Sequence, residues 1–171
     1  MQRRYDAGVR LKVRSLNGNQ QHDAKVLCSG GYVDQELWPR HIFLEVTTVA
    51  HEKDYLRREL LDTEGGSFGV GNIIRDKKTK KILNQPYVYK GREADENLLA
   101  GIRQAITKKA TKTYPEDTIL VVQCYPDRLT LLSEWEWIVE QLRNDAPAYP
   151  FREVFLIEAL HSYSASLYPP R

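Results

Sequence analysis

Ile42-Phe43-Leu44-Glu45-Val46-Thr47-Thr48 decides how this chain is read. Its β-branched and aromatic residues are those of a core strand, yet a carboxylate stands at its centre. A buried acid is stable only when it is paired, hydrogen-bonded or metal-bound. Glu45 is therefore a candidate for chemistry as well as for structure.

Upstream, Val9 to Leu16 alternates apolar and polar residues, which puts Val9, Leu11 and Val13 on one face of a half-buried strand. Asn17-Gly18 follows, a pair that tolerates positive φ and signals a hairpin. The next strand begins near Gln21 and runs through Asp23 to Cys28, and a loop with Asp34, Trp38 and Pro39 leads into the opening stretch. Residues 9 to 48 thus read as a three-stranded antiparallel meander, with Asp23 at the start of its second strand and Glu45 within its third.

Downstream, His51 to Leu61 has helical spacing at Tyr55, Leu56 and Leu60 and stops at Gly65-Gly66. Gly65 to Gly91, with early glycines, the run Lys77-Lys78-Thr79-Lys80-Lys81 and Pro86, reads as a long loop or flap with a short strand around Tyr87-Val88-Tyr89. Residues 93 to 113 return to helix on the stripe Leu98, Leu99, Ile102 and Ile106, ended by Tyr114-Pro115. Thr118 to Cys124 is a continuous apolar run, the signature of a strand covered on both faces. Leu131 to Leu142 is a helix with Trp135, Ile138, Val139 and Leu142 on one side, and Arg152 to Leu160 is another buried strand. From Ser162 to Arg171 no periodicity remains, and a loose tail is expected. The order β-β-β-α-loop-α-β-α-β predicts one α/β domain over residues 1–171, a mixed sheet with helices on its faces.

With 171 residues, 42% hydrophobic and 28% charged, the chain can bury one core of ordinary size. A formal charge of +2 is too mild to argue for nucleic acid, and it does not exclude it. Cys28 and Cys124 lie in separate apolar runs, as buried reduced thiols do. Behind Met1-Gln2-Arg3-Arg4-Tyr5 there is no apolar leader segment, and no stretch reaches the about 18 apolar residues of a membrane span. The expectation is a cytoplasmic protein with no membrane partner.

Asp23 and Glu45 fall on adjacent strands, and two carboxylates held together repel unless a proton or cation separates them. A hard divalent ion, Mg²⁺ or Mn²⁺, resolves that repulsion while leaving water positions open. The same pattern also fits an internal ion pair between Glu45 and a nearby arginine, or a helix cap made by Glu45 through backbone N–H groups. Spacing alone leaves these alternatives open.

A strand beginning with Asp, then an apolar strand carrying Glu-x-Thr and running into a helix, resembles the PD-(D/E)xK nucleases of the restriction-endonuclease-like fold. The resemblance covers roughly residues 9 to 124. It implies an αβββαβ core and hydrolysis of phosphodiester bonds in DNA or RNA, with a nucleic-acid partner and a Mg²⁺ or Mn²⁺ cofactor. It also admits a module that keeps the fold, has lost the chemistry and binds nucleic acid or a protein. His22-Asp23 matches the Pro-Asp element and Glu45-Val46-Thr47 the (D/E)-x-K element, so Asp23 and Glu45 are the implied metal ligands. Thr47 stands where the family has lysine. Lys109 is the candidate for a migrated lysine, because it falls on the apolar stripe, three residues after Ile106; the alternative is a stem lying over the core with its ammonium in water. The family's helix before the first strand has no room in Arg3 to Tyr5, a departure from the pattern that a missing upstream segment would explain.

Other residues carry two readings each. Asp6 and Asp34 compete with Asp23 as ligands; against them, Asp34 suits turn or surface use beside Trp38-Pro39, and Asp6, ahead of the first strand, lies far across the sheet. His51 and Glu52 follow the strand end, where they suit either a phosphate or a helix N-terminus. Arg57, Arg58, Lys77 and Lys78 are candidate nucleic-acid contacts or ordinary solvated charges. Gln123 either reaches the site or satisfies a neighbouring backbone group. The glycines at 65, 66, 69 and 71 follow a helix and lack a lysine-hydroxyl pair, so they predict no nucleotide loop. No zinc spacing and no nucleophile elbow is present.

Overall fold

A computed structural model of the chain describes residues 8–16, 20–68, 71–126, 130–145 and 149–167. The Asn17-Gly18 turn, Asp6, Gly69 and the end of the tail from residue 168 lie outside the described residues.

The fold is α/β, built on a mixed six-stranded sheet. Its strands are β1 (Arg10–Ser15), β2 (Ala24–Ser29), β3 (His41–Val49), β6 (Thr118–Cys124), β7 (Glu153–Glu158) and β8 (Ser164–Ser166), and they lie in that order across the sheet. The numbers β4 (Ile73–Arg75) and β5 (Ile82–Asn84) belong to a separate two-stranded hairpin. Neighbours β1, β2 and β3 are antiparallel, β6 runs parallel to β3 and β7 to β6, and β8 returns antiparallel. The helices among the described residues are α1 (Gly31–Asp34), α2 (Asp54–Glu64), α3 (Glu93–Ala110) and α4 (Leu132–Asn144).

Alternation along the strands divides the core in two. On one face Val49, Leu120, Val122, Cys124, Val154 and Leu156 meet the stripes Leu98, Leu99, Ile102 and Ile106 of α3 and Trp135, Ile138, Val139 and Leu142 of α4. On the other, Val26, Cys28, Ile42 and Ile119 pack with Val33 of α1, and half-buried Leu11, Trp38 and Phe155 pack against them. The continuous apolar run of β6 follows from cover on both sides, since none of its residues is exposed. Glu45, Thr47 and Val49 share the face toward α3, as their parity requires.

Four expectations change. Val13 is 60% exposed, because β1 is an edge strand whose outer end has little packed against it. The loop between α2 and α3 holds the β4–β5 hairpin, while Tyr87 to Tyr89 is not a strand. Ile73, fully buried, pairs the hairpin to Leu56 and Leu60 of α2 in a small separate core. Residues from Ser162 do not simply trail away: β8 pairs with β7 through Phe155↔Ser166 and Leu156↔Ala165, and Leu167 is buried. The short helix α1 occupies the loop in which Asp34 lies. By contrast α2 ends where Gly65 was expected to stop it, with Gly65 at φ 74° and its N–H donating to Leu61 O at 3.0 Å.

Candidate functional site

Glu45 lies on β3 with 6% of its surface exposed. Three elements meet there. Lys109, in the last turn of α3, makes an ion pair with Glu45 Oε1, and the Tyr114 hydroxyl, from the α3–β6 connection, donates to the same oxygen at 3.3 Å. Tyr114 is itself held against the Phe151 ring, 5.2 Å between centroids. Among the described residues Oε2 of Glu45 receives no hydrogen bond.

The placement of Lys109 follows from how α3 lies on β3. A Cβ added to Gly101 would sit 2.9 Å from Val49 Cγ1, so the glycine is what lets helix and strand touch at that end. From Val49 back to Glu45 the strand covers four residues, about 13 Å. From Gly101 forward to Lys109 the helix covers eight, about 12 Å. The two run antiparallel with matched lengths, and the lysine arrives beside the carboxylate.

Asp23 immediately precedes β2, next to the register pair Ala24↔Leu44. Its N–H donates to Leu44 O at 2.8 Å, and its Oδ2 accepts the Val46 N–H at 2.7 Å. Asp23 thus crosses to the backbone beside Glu45, but unlike Glu45 it is exposed. Both acids act on Tyr114. Burial pushes its hydroxyl up to about 12, and the charge of Glu45, the hydrogen bond to Glu45 and the charge of Asp23 push the same way. Asp23 Oδ1, like Glu45 Oε2, takes no hydrogen bond among the described residues.

Among the described residues each carboxylate keeps one oxygen free of hydrogen bonds, and Asp23 is open to water; carboxylates with unengaged oxygens are the groups by which a protein would hold a hard divalent ion. Among the described residues no group of three or more His, Cys, Asp or Glu gathers as a metal site.

The other expected site residues divide. Thr47 is half-buried on the same face as Glu45, one step toward a cleft of about 380 Å³. That cleft opens at the carboxyl ends of β3 and β6, lined by Val49, His51, Glu52, Gly101, Gln104 and Tyr125. His51 uses Nδ1 to accept the Lys53 N–H at 3.1 Å, a local role at the approach to α2. Arg57 and Arg58 are not presented together as free cations. Arg57 Nη2 and Arg58 Nε both bind the Asp54 carboxylate, the latter at 2.7 Å. Lys77 and Lys78 are exposed at the hairpin tip, where Asp76 Oδ1 accepts the N–H of Lys78 at 3.0 Å and of Thr79 at 2.6 Å and fixes the turn. Gln123 belongs with Val121 to the opposite face, away from Glu45. Asp34 is exposed on α1. Tyr114 was the residue missed. The dipeptide Tyr114-Pro115 was visible as a helix stop, but a phenol reaching a strand residue 69 positions earlier leaves no local pattern.

Comparison with protein-family models, with curated proteins and with solved structures found no match.

Proposed function

We propose that this chain is a metal-dependent nuclease that hydrolyses phosphodiester bonds of nucleic acid, with Asp23, Glu45 and Lys109 at its centre. The observation that carries the reading is the arrival of Lys109, from a separate helix, at the carboxylate of a Glu-x-Thr strand. That is the place a lysine two residues after the glutamate would otherwise serve. The βββ meander followed by a helix and a strand parallel to its third member supports a restriction-endonuclease-like core. A bound Mg²⁺ or Mn²⁺ would supply charge neutralisation and an acidified water. The chain's own groups do the rest. Asp23 and Glu45 offer their unengaged oxygens, Lys109 supplies positive charge for the phosphorane-like transition state and orients the attacking water, and burial of Glu45 strengthens these interactions by lowering the local dielectric.

Incubation with single- and double-stranded DNA and RNA in Mg²⁺ or Mn²⁺ tests this. Wild type should cleave at least one of them, Asp23→Asn and Glu45→Gln should lose cleavage by at least about a hundredfold, and Lys109→Met should lose a large part of it. Calorimetry with Mn²⁺ should show binding that Glu45→Gln removes. A wild type that neither cleaves any of these substrates nor binds Mn²⁺ would overturn the proposal.

One observation favours a second reading, a module of this fold that holds nucleic acid without cutting it. Lys109 and Tyr114 together satisfy Glu45 Oε1 without any ion. Under that reading Mn²⁺ gives no heat, and Glu45→Gln alters stability but not nucleic-acid affinity.

A further inference from the structure

On the face that carries Asp23 and Glu45, α3 and α4 cover β3, β6 and β7, whereas the two strands on the other side of Glu45 carry charge. Val9 and Leu11 of β1 and its approach pack on the opposite core, so Arg10, Lys12 and Arg14 must point to the Glu45 face. The register places Arg14 opposite Lys25, and directly opposed residues project to the same side. Lys25 in turn stands opposite Phe43, with its Nζ over that ring at 5.6 Å. Phe43 shares its side of β3 with Glu45. Arg10, Lys12 and Arg14 are exposed and make no ion pair among the described residues. Successive cations stand about 6.8 Å apart along the strand.

We infer that the open face of β1 and β2 is a binding surface for the phosphodiester backbone of nucleic acid, held by Arg10, Lys12, Arg14 and Lys25 and led toward Asp23 and Glu45. Its direction rests on the proposed nuclease site; its existence rests on the register alone. Charges on an edge strand also deter edge-to-edge pairing. That explanation does not reach Lys25, which sits on the second strand, and it does not require three cations on one face. Charge complementarity selects the occupant: four positive side chains on one side of two paired strands, with Asp23 and Glu45 at the end where Arg14 and Lys25 stand, suit a repeating polyanion.

The test is fluorescence anisotropy with a labelled single-stranded DNA and a duplex of the same sequence, in EDTA, across a salt series. Arg10→Gln/Lys12→Gln/Arg14→Gln should weaken binding about tenfold or more. It should also flatten the slope of log affinity against log salt by about 2 for the single strand and nearer 3 for the duplex, at about 0.7 and 0.9 per lost phosphate contact. Each single variant should lower the slope by about 0.7 to 0.9, so the reading survives a triple variant that folds poorly. No binding by the wild type would overturn the inference. So would the full loss appearing in Lys77→Gln/Lys78→Gln/Lys80→Gln with none in the β1 variant, or binding to phosphatidylserine vesicles in place of the oligonucleotides. Because binding is read without metal, a protein that binds through β1 but never cleaves keeps this inference and loses the nuclease reading. Cleavage with an unchanged slope in the β1 variant does the reverse.

Discussion

At the residue scale, the Glu45 cluster makes two measurable claims. The Lys109 and Glu45 side chains are 20% and 8% exposed, which takes the pair out of the class of surface salt bridges worth little. Removing only the ammonium, by Lys109→Met, leaves a carboxylate in a poorly solvated place and should cost about 3–5 kcal/mol in urea unfolding. Adding Glu45→Gln should recover part of that loss, and additive losses would mean that the two side chains do not interact. Tyr114 gives the second claim. Burial first, and then the charge of Glu45, push its hydroxyl up to about 12 in the folded chain from the 10 of an ordinary tyrosine. The folded form therefore holds its proton more tightly, and the stability this contributes is complete below pH 10 and lost as pH rises toward 12. Ultraviolet titration should show a tyrosine ionising late that is missing in Tyr114→Phe and shifted back toward 10 in Glu45→Gln. Glu45 and its oddity were legible from the sequence, and so was Lys109 as an apolar-stripe lysine. Tyr114 was not, since only the folded connection between α3 and β6 brings it across.

At the scale of elements, the antiparallel seating of α3 on β3 depends on one missing methyl group. Gly101→Ala should raise helix propensity by about 1 kcal/mol. It also drives a Cβ into Val49, whose branched side chain has little freedom to move, and overpacking costs about 1–3 kcal/mol. The expected sum is a lower urea midpoint despite the better helix former; a higher midpoint would show that the strand yields. Long elements were readable because period and length agree: the stripes of α3 and α4 and the run of β6 fall where the sequence puts them. Short ones were not. The strands Ile73–Arg75, Ile82–Asn84 and Ser164–Ser166 have three residues each, too few to establish a period, and Ser-Ala-Ser carries no apolar signal at all. Tyr87 to Tyr89 has strand-forming residues and no partner strand, so propensity misled. The alternation of β1 is legible from the sequence, but in one dimension only its apolar half has a meaning. The cations between Val9, Leu11 and Val13 gained meaning once the register gave them a common face.

For the whole molecule, the coarse α/β class and the mixed sheet were legible because charge, length and strand patterning all pointed to one core. No helix among the described residues is long and apolar enough to cross a membrane. What patterning does not encode is lateral order, and here that order is simple: the six strands lie across the sheet in the sequence in which they occur along the chain. A chain emerging from the ribosome can therefore lengthen the sheet at one growing edge, each strand docking on the last, and never has to prise two formed neighbours apart to insert a third. The meander closes through nearby contacts, so the slow step of such growth falls at the junction of β3 with β6, where 68 residues separate the ends to be joined. That junction is also where Glu45 lies, with Lys109 and Tyr114 contributed by the very segment whose arrival completes it.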